Sequence, residues 1–214
     1  RKHGAYVQDE IPVPLLNPYG TTMLTAGIAF FEDGRAAVTT MIGDVWIVSG
    51  LDDDLDEVVW KRFATGLNHA LGVEIIDGKI IVLGRDRLTR LHDFNNDGCA
   101  DFYENFSQAF EPSHGGHSFY VGLQKDRENN LYFTASTHTV KVSPDGKTAT
   151  KLNAGGQRNP NGVGASLDGV VLSSANEGDW NPASLIFEIK NPDDFCGRGA
   201  KKDGPPVVPP LAFV

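Results

Sequence analysis

Three clusters of residues have the types and spacing to do chemistry. The first is DFNNDGCADFYE, residues 93–104, which follows the twelve-residue pattern D-x-[DN]-x-[DN]-G-x5-E throughout. That pattern wraps side-chain and carbonyl oxygens around a hard cation, so calcium is the expected ion. Asp93, Asn95, Asp97 and Glu104 would give side-chain oxygens and Cys99 its backbone carbonyl, with Asp101 acting directly or through water. Gly98 would allow the sharp turn. The flanking RLTRLH and NFSQAF do not read as the amphipathic helices of a calcium sensor, so the loop is expected at a strand end, holding a structural calcium. An empty Asx-type turn is the alternative.

The second cluster is EPSHGGHSFYVGL, where His114 and His117 flank a Gly-Gly pair ahead of an apolar strand. Glycines there let backbone approach a ligand closely, and a neutral imidazole can serve as a general base. Two readings stand beside this one: plain turn histidines, and an H-x-x-H metal pair that lacks a third ligand nearby. The third cluster is GGQRNPNGVG followed by SSANEGDWNP. Arg158 and Asn159 can grip a planar anionic group, or they can simply shape a connection with Asn159-Pro160 and Asn161-Gly162.

The elements that must position these clusters are short strands. The 24 glycines and 12 prolines are spread along 214 residues, a composition of many turns and few long helices. From Thr25 onward the chain falls into units of short β-branched and aromatic runs bounded by Gly, Asp or Asn. The first reads GIAFFEDGRAAVTTMIGDVWIVSG then EVVWKRFATG, and the second ALGVEIIDGKIIVLGRDRLTRLHDFNNDG. The third is FYVGLQKDRENNLYFTASTHTVKVSPDGKTATKLN and the fourth NGVGASLDGVVLSSANEGDWNPASLIFEIK. Each opens with a G-[LIV] pair and turns at a D-G or N-N hairpin. Repeats of this length, each a four-stranded meander, predict an all-β fold: a β-propeller with about four blades, part of a six- or seven-bladed ring. Residues 1–24 read as a lead-in, 25–190 as blades, and the Pro- and Gly-rich 191–214 as a connection leading onward. The end blades would then leave open edges for further chain or another protein to cover.

A net charge of −9 with no long run of Lys or Arg excludes a nucleic-acid partner, and no apolar run is long enough for a membrane helix. Cys99 and Cys196 form no C-x-x-C spacing; they read as two free thiols, with one disulfide as the alternative.

Taken together, HGGHSFYVGLQKDRENNLYFT, GGQRNPNGVGASLDG and SSANEGDWNPASLIFEI resemble the soluble quinoprotein glucose and sorbosone dehydrogenases, and still more the planctomycete-type "membrane-bound dehydrogenase" propellers. The resemblance covers roughly residues 67–190. It implies a pyrroloquinoline quinone cofactor over the channel mouth and a sugar or alcohol substrate. His117 would be the base, with His114 the alternative, and Arg158 and Asn159 would contact the quinone oxygens. Backbone carbonyls around Gly178 and Asp179 would lie near a cofactor-polarising calcium. It further implies a bacterial, periplasmic or secreted setting, and a cytochrome or a further propeller segment as partner. The family's additional basic quinone ligands have no counterpart in this chain. A calcium-stabilised propeller that binds a glycan or partner protein is the competing reading. A calcium-dependent lactonase using Asn68, Asn159 and Asn176 ranks below both.

Overall fold

In the computed structural model, residues 8–116, 118–176, 183–197 and 207–214 are described. They are all-β, arranged as four four-stranded antiparallel sheets. The first sheet holds β1 (Thr25–Phe30), β2 (Ala36–Thr40), β3 (Val45–Ser49) and β4 (Val59–Ala64); the second holds β5 (Gly72–Ile76), β6 (Lys79–Leu83), β7 (Leu88–His92) and β8 (Phe102–Ser107). The third is β9 (Val121–Lys125), β10 (Leu131–Thr134), β11 (Thr139–Val142) and β12 (Ala149–Lys151). In the fourth, β13 (Val163–Ala165), β14 (Val171–Ala175) and β15 (Leu185–Ile189) are joined on the outside by β18 (Ala212–Phe213). A short parallel pair, β16 (Phe195–Cys196) with β17 (Val207–Val208), lies between them in sequence.

Each sheet is a meander, and the first strand of each packs against the first strand of the next: β1 on β5, β5 on β9, β9 on β13. This is the β-propeller arrangement, with β1, β5, β9 and β13 innermost. The recurring G-[LIV] pair has a steric cause. A Cβ on Gly27 would sit 3.0 Å from the Val73 nitrogen and 3.1 Å from Gly72 Cα, and one on Gly72 would sit 2.9 Å from Leu123 Cβ and 3.0 Å from the Gly122 carbonyl carbon. Blades taper towards the axis, and only glycine lets neighbouring inner strands approach this closely.

The unbroken apolar run of β6 is explained by burial on both faces. Ile80 and Val82 pack with Ala37, Val45 and Val73 on the side of the first blade. Ile81 and Leu83 pack with Leu123, Leu131 and Phe133 on the side of the third. Alternate residues of a strand point to opposite faces, so a blade between two others needs both sets apolar. The expected hairpins are present. Asp77 and Gly78 both have positive φ, 49° and 69°, as a two-residue type I′ turn requires. Gly34, Asn129 and Gly169 each occupy the left-handed position of an equivalent longer turn in the other three blades. Both cysteines are free thiols, Cys99 exposed and Cys196 buried.

Candidate functional site

Strand register separates the chemistry-bearing clusters into two groups. Gly72 pairs with Leu83, so the start of β5 and the Gly84–Arg87 turn share one end of the blade, here called the upper end. Ile76 pairs with Lys79 and Ile80 with Leu91, which puts the Asp77-Gly78 turn and the loop between β7 and β8 at the other. The acidic loop therefore lies at the lower end, a strand's length from the entry loops of the inner strands.

At the upper end, turns and entry loops are stitched together. The Arg85 amide donates to the Asn68 carbonyl at 3.1 Å, and the Ser113 amide donates to the Arg85 carbonyl at 2.8 Å. The Arg85 guanidinium bonds the Gly115 carbonyl and the Ser113 hydroxyl, so one residue of the second blade holds the loop that carries His114. His114 itself is exposed. Phe119 lies near both His69, with ring centres 5.6 Å apart, and Arg85, whose guanidinium carbon is 5.7 Å from its ring.

Phe119, Val121, Ser136, Asn159, Pro160 and Asn161 line a cleft of about 190 Å³ between the third and fourth blades. Ser118 and Ser136 are linked hydroxyl to hydroxyl in its wall. Gln157, which precedes Arg158 in the chain, is fully buried and donates from Nε2 to Ser173 Oγ at 2.6 Å and to Thr139 Oγ1 at 3.4 Å. The Asn176 amide donates to the Arg158 carbonyl at 2.8 Å, and Asn159 has a left-handed backbone, φ 41°. Asn159 thus shares a cleft with the segment following the histidine loop. His117, Gly178 and Asp179 lie outside the described residues. Asn68 lines a different cleft, with Asp86 and Arg87, and so stands apart from Asn159.

Three upper-end residues escaped the sequence reading. Gln157 carried a weak signal as a polar residue inside a glycine-rich turn. Arg85 carried none, because its partners are 28 and 30 residues away. His69 has a left-handed backbone, φ 50°, and a buried Nδ1 with no hydrogen-bond partner among the described residues. Nearby, burial and then the charge of Lys151 push His138 down to about 4, so it is a neutral imidazole.

At the lower end, the acidic loop closes on itself. Asp93 accepts from the Gly98 amide at 2.8 Å and the Asp97 amide at 3.2 Å, and Asp101 accepts from the Phe94 amide at 2.7 Å. Asn95 Nδ2 donates to both Asp97 and Asp101, each at 3.2 Å, and the Asp97 carboxylate accepts from the Cys99 amide at 2.8 Å. Gly98 makes the left-handed turn, φ 79°. Four of the expected donors, Asp93, Asn95, Asp97 and Asp101, are therefore gathered. Glu104 is placed otherwise: on β8 it meets His92 Nε2 at 2.7 Å and Arg90 at 3.5 Å. From the first blade, Lys61 donates to the Asp97 carbonyl. Among the described residues no three His, Cys, Asp or Glu side chains form a ready metal cage. The oxygens gathered here are of the kind a hard cation takes, but they bond the loop's own amides, and the twelfth-position carboxylate of Glu104 is turned to His92.

The fold defines the class: a propeller of four-stranded antiparallel blades. Solved structures similar to it include sugar dehydrogenases and, with TM-score 0.56, a protein described as a gluconolactonase. One is the pyrroloquinoline-quinone-bound aldose sugar dehydrogenase of Streptomyces coelicolor, with TM-score 0.68, 14% identity, and 91% of this chain and 69% of that one covered. A second is an oxidoreductase (glucose dehydrogenase) of Thermus thermophilus, with TM-score 0.63, 16% identity, and coverage of 90% and 70%. A third is a calcium structure of a carbohydrate-active enzyme of Trichoderma reesei, with TM-score 0.62, 13% identity, and coverage of 79% and 52%. This chain spans between about half and about seven tenths of those proteins. No protein-family model matches it, and no curated protein matches it in sequence.

Proposed function

We propose that the upper end is part of the site of a quinone-dependent sugar or alcohol dehydrogenase, and that the acidic loop at the lower end holds a structural calcium. The observation that carries the first reading is the cleft shared by Asn159, Ser136 and Phe119 beside the loop that Arg85 fastens. Its lining suits the edge of a planar, oxygen-rich ligand: amide and hydroxyl donors next to one aromatic ring. At about 190 Å³ it takes only part of a tricyclic quinone, which would extend over the channel mouth.

The pyrroloquinoline quinone would supply an electrophile that accepts hydride from the C–H of the substrate. In this chain, His117 takes the hydroxyl proton, with His114 as alternative. Arg158 and Asn159 would hold the quinone oxygens, and backbone carbonyls around Gly178 and Asp179 would bind the polarising calcium. Sugar-dehydrogenase neighbours support a small sugar or alcohol as substrate. A periplasmic or secreted setting and a cytochrome or further propeller segment as partner belong to the same proposal. No described helix is long and apolar enough to cross a membrane.

At the lower end, Asp93, Asn95, Asp97, Asp101 and the Cys99 carbonyl would surround calcium, with Glu104 joining on release from His92. The distance of this loop from the upper cleft favours a second reading, in which the propeller is a calcium-stabilised scaffold for a glycan or a partner protein.

Titration of the calcium-stripped protein with calcium and pyrroloquinoline quinone, followed by dye reduction with a panel of sugars, separates the two. Saturable quinone binding with sugar-dependent reduction that His117→Ala abolishes supports the dehydrogenase. Calcium binding without quinone binding supports the scaffold.

A further inference from the structure

A larger cavity lies at the lower end, between the first and second blades. It has a volume of about 520 Å³, within the roughly 300–1,000 Å³ of small-molecule sites. Phe31, Ile47, Phe63, Ile80 and Leu91 make its floor. These side chains continue the apolar core between the two blades, so the floor is fixed by packing rather than by a mobile loop.

The rim is cationic on a protein whose net charge is −9. Lys61 enters from β4 and Lys79 from the start of β6, both exposed, and Arg35 stands beside them. Arg35 is paired with Asp33 at 2.8 Å and Lys61 is held by the Asp97 carbonyl, so Lys79 is the rim cation without an ion pair among the described residues, with Lys61 beside it carrying a charge that only a carbonyl meets. The acid in its lining, Asp93, turns its carboxylate into its own loop, onto the amides of Asp97 and Gly98. Lysine ammonium groups above an aromatic and aliphatic floor suit a small molecule with an apolar body and one anionic end.

We propose that this cleft is a binding site for an amphiphilic organic anion, such as a medium-chain carboxylate. It is independent of the upper-end reading, shares no residue with it, and faces the opposite way.

Calorimetric titration of the intact chain with octanoate, octanol and octyltrimethylammonium tests the proposal. Octanoate binds saturably, octanol at least about tenfold more weakly, and the cation not at all. Lys61→Met combined with Lys79→Met weakens octanoate binding by about tenfold or more while the melting transition stays cooperative. Because Lys61 also touches the acidic loop, Lys79→Glu alone is the second variant, and it lowers affinity in the same direction. Equal affinity for octanoate and octanol, or unchanged affinity in both variants, overturns the proposal. So does binding to phosphatidylglycerol vesicles without binding of free octanoate, which would identify a lipid surface instead of a free anion.

Discussion

His138 is held neutral between β10 and β11, and that has a thermodynamic sign. Its folded value, about 4, lies below the ordinary 6.5, so below 6.5 the unfolded chain binds a proton that the folded chain refuses. Its stabilising contribution is therefore full above pH 6.5 and is lost as pH falls towards 4. Melting temperature should drop across that window, and His138→Asn should make the drop shallower, as scanning calorimetry at a series of pH values would record. Asp126 acts in the same direction at lower pH. Burial pushes its carboxyl up, but hydrogen bonds from Asn130 at 2.7 Å and Tyr132 at 2.8 Å outweigh it and hold the group below 3.8. Glu74 is the opposite case: desolvation raises it above 4.5 despite Lys125 at 3.6 Å, so its contribution falls as pH rises through the raised value.

Among the elements, the inner strands and the doubly buried strands tolerate change least. Gly72→Val would drive a side chain into Gly122 and Leu123, and overpacking of this kind costs about 1–3 kcal/mol. Phe133 is fully buried in the core between the second and third blades, and its ring lies 4.8 Å from Phe110 and 5.5 Å from Tyr120. Phe133→Ala should cost about 3–5 kcal/mol in chemical denaturation. Arg85→Met should loosen the loop at residues 111–118 without unfolding the blade. Hydrogen exchange would show lost protection there and unchanged protection in β5 and β6, whereas a uniform loss would mean that Arg85 stabilises the blade as a whole.

For the whole molecule, the separation of the two ends makes a sharper claim. On the proposed reading, a calcium held by the acidic loop would brace the second blade against the first, next to the Lys61 contact, and would not reach the upper cleft. Asp93→Ala and Asp97→Ala should abolish calcium-dependent stabilisation at this loop and leave quinone binding unchanged within about twofold. Conversely, Asn159→Ala should weaken quinone binding and leave the loop's response to calcium intact. Coupling between the two would show that the ends communicate through the blades.

Much of this was legible in the chain. The G-[LIV] pairs, the D-G and N-N turns and the apolar runs are local signals, set by pleat, turn geometry and burial, and they determine strands, hairpins and the repeating blade. The acidic pattern likewise determines its own loop, because the hydrogen bonds within it span seven residues at most. Only the tertiary structure decided what depends on contacts distant in sequence. Register sent the acidic loop and the histidine and arginine clusters to opposite ends, and β7–β8 pairing turned Glu104 onto His92. Interblade packing buried Gln157 between Thr139 of the third blade and Ser173 of the fourth, brought Lys61 to a loop 36 residues away, and opened the lower cleft between two blades. No local pattern encodes those meetings, because each is set by how one sheet's face fits against the next.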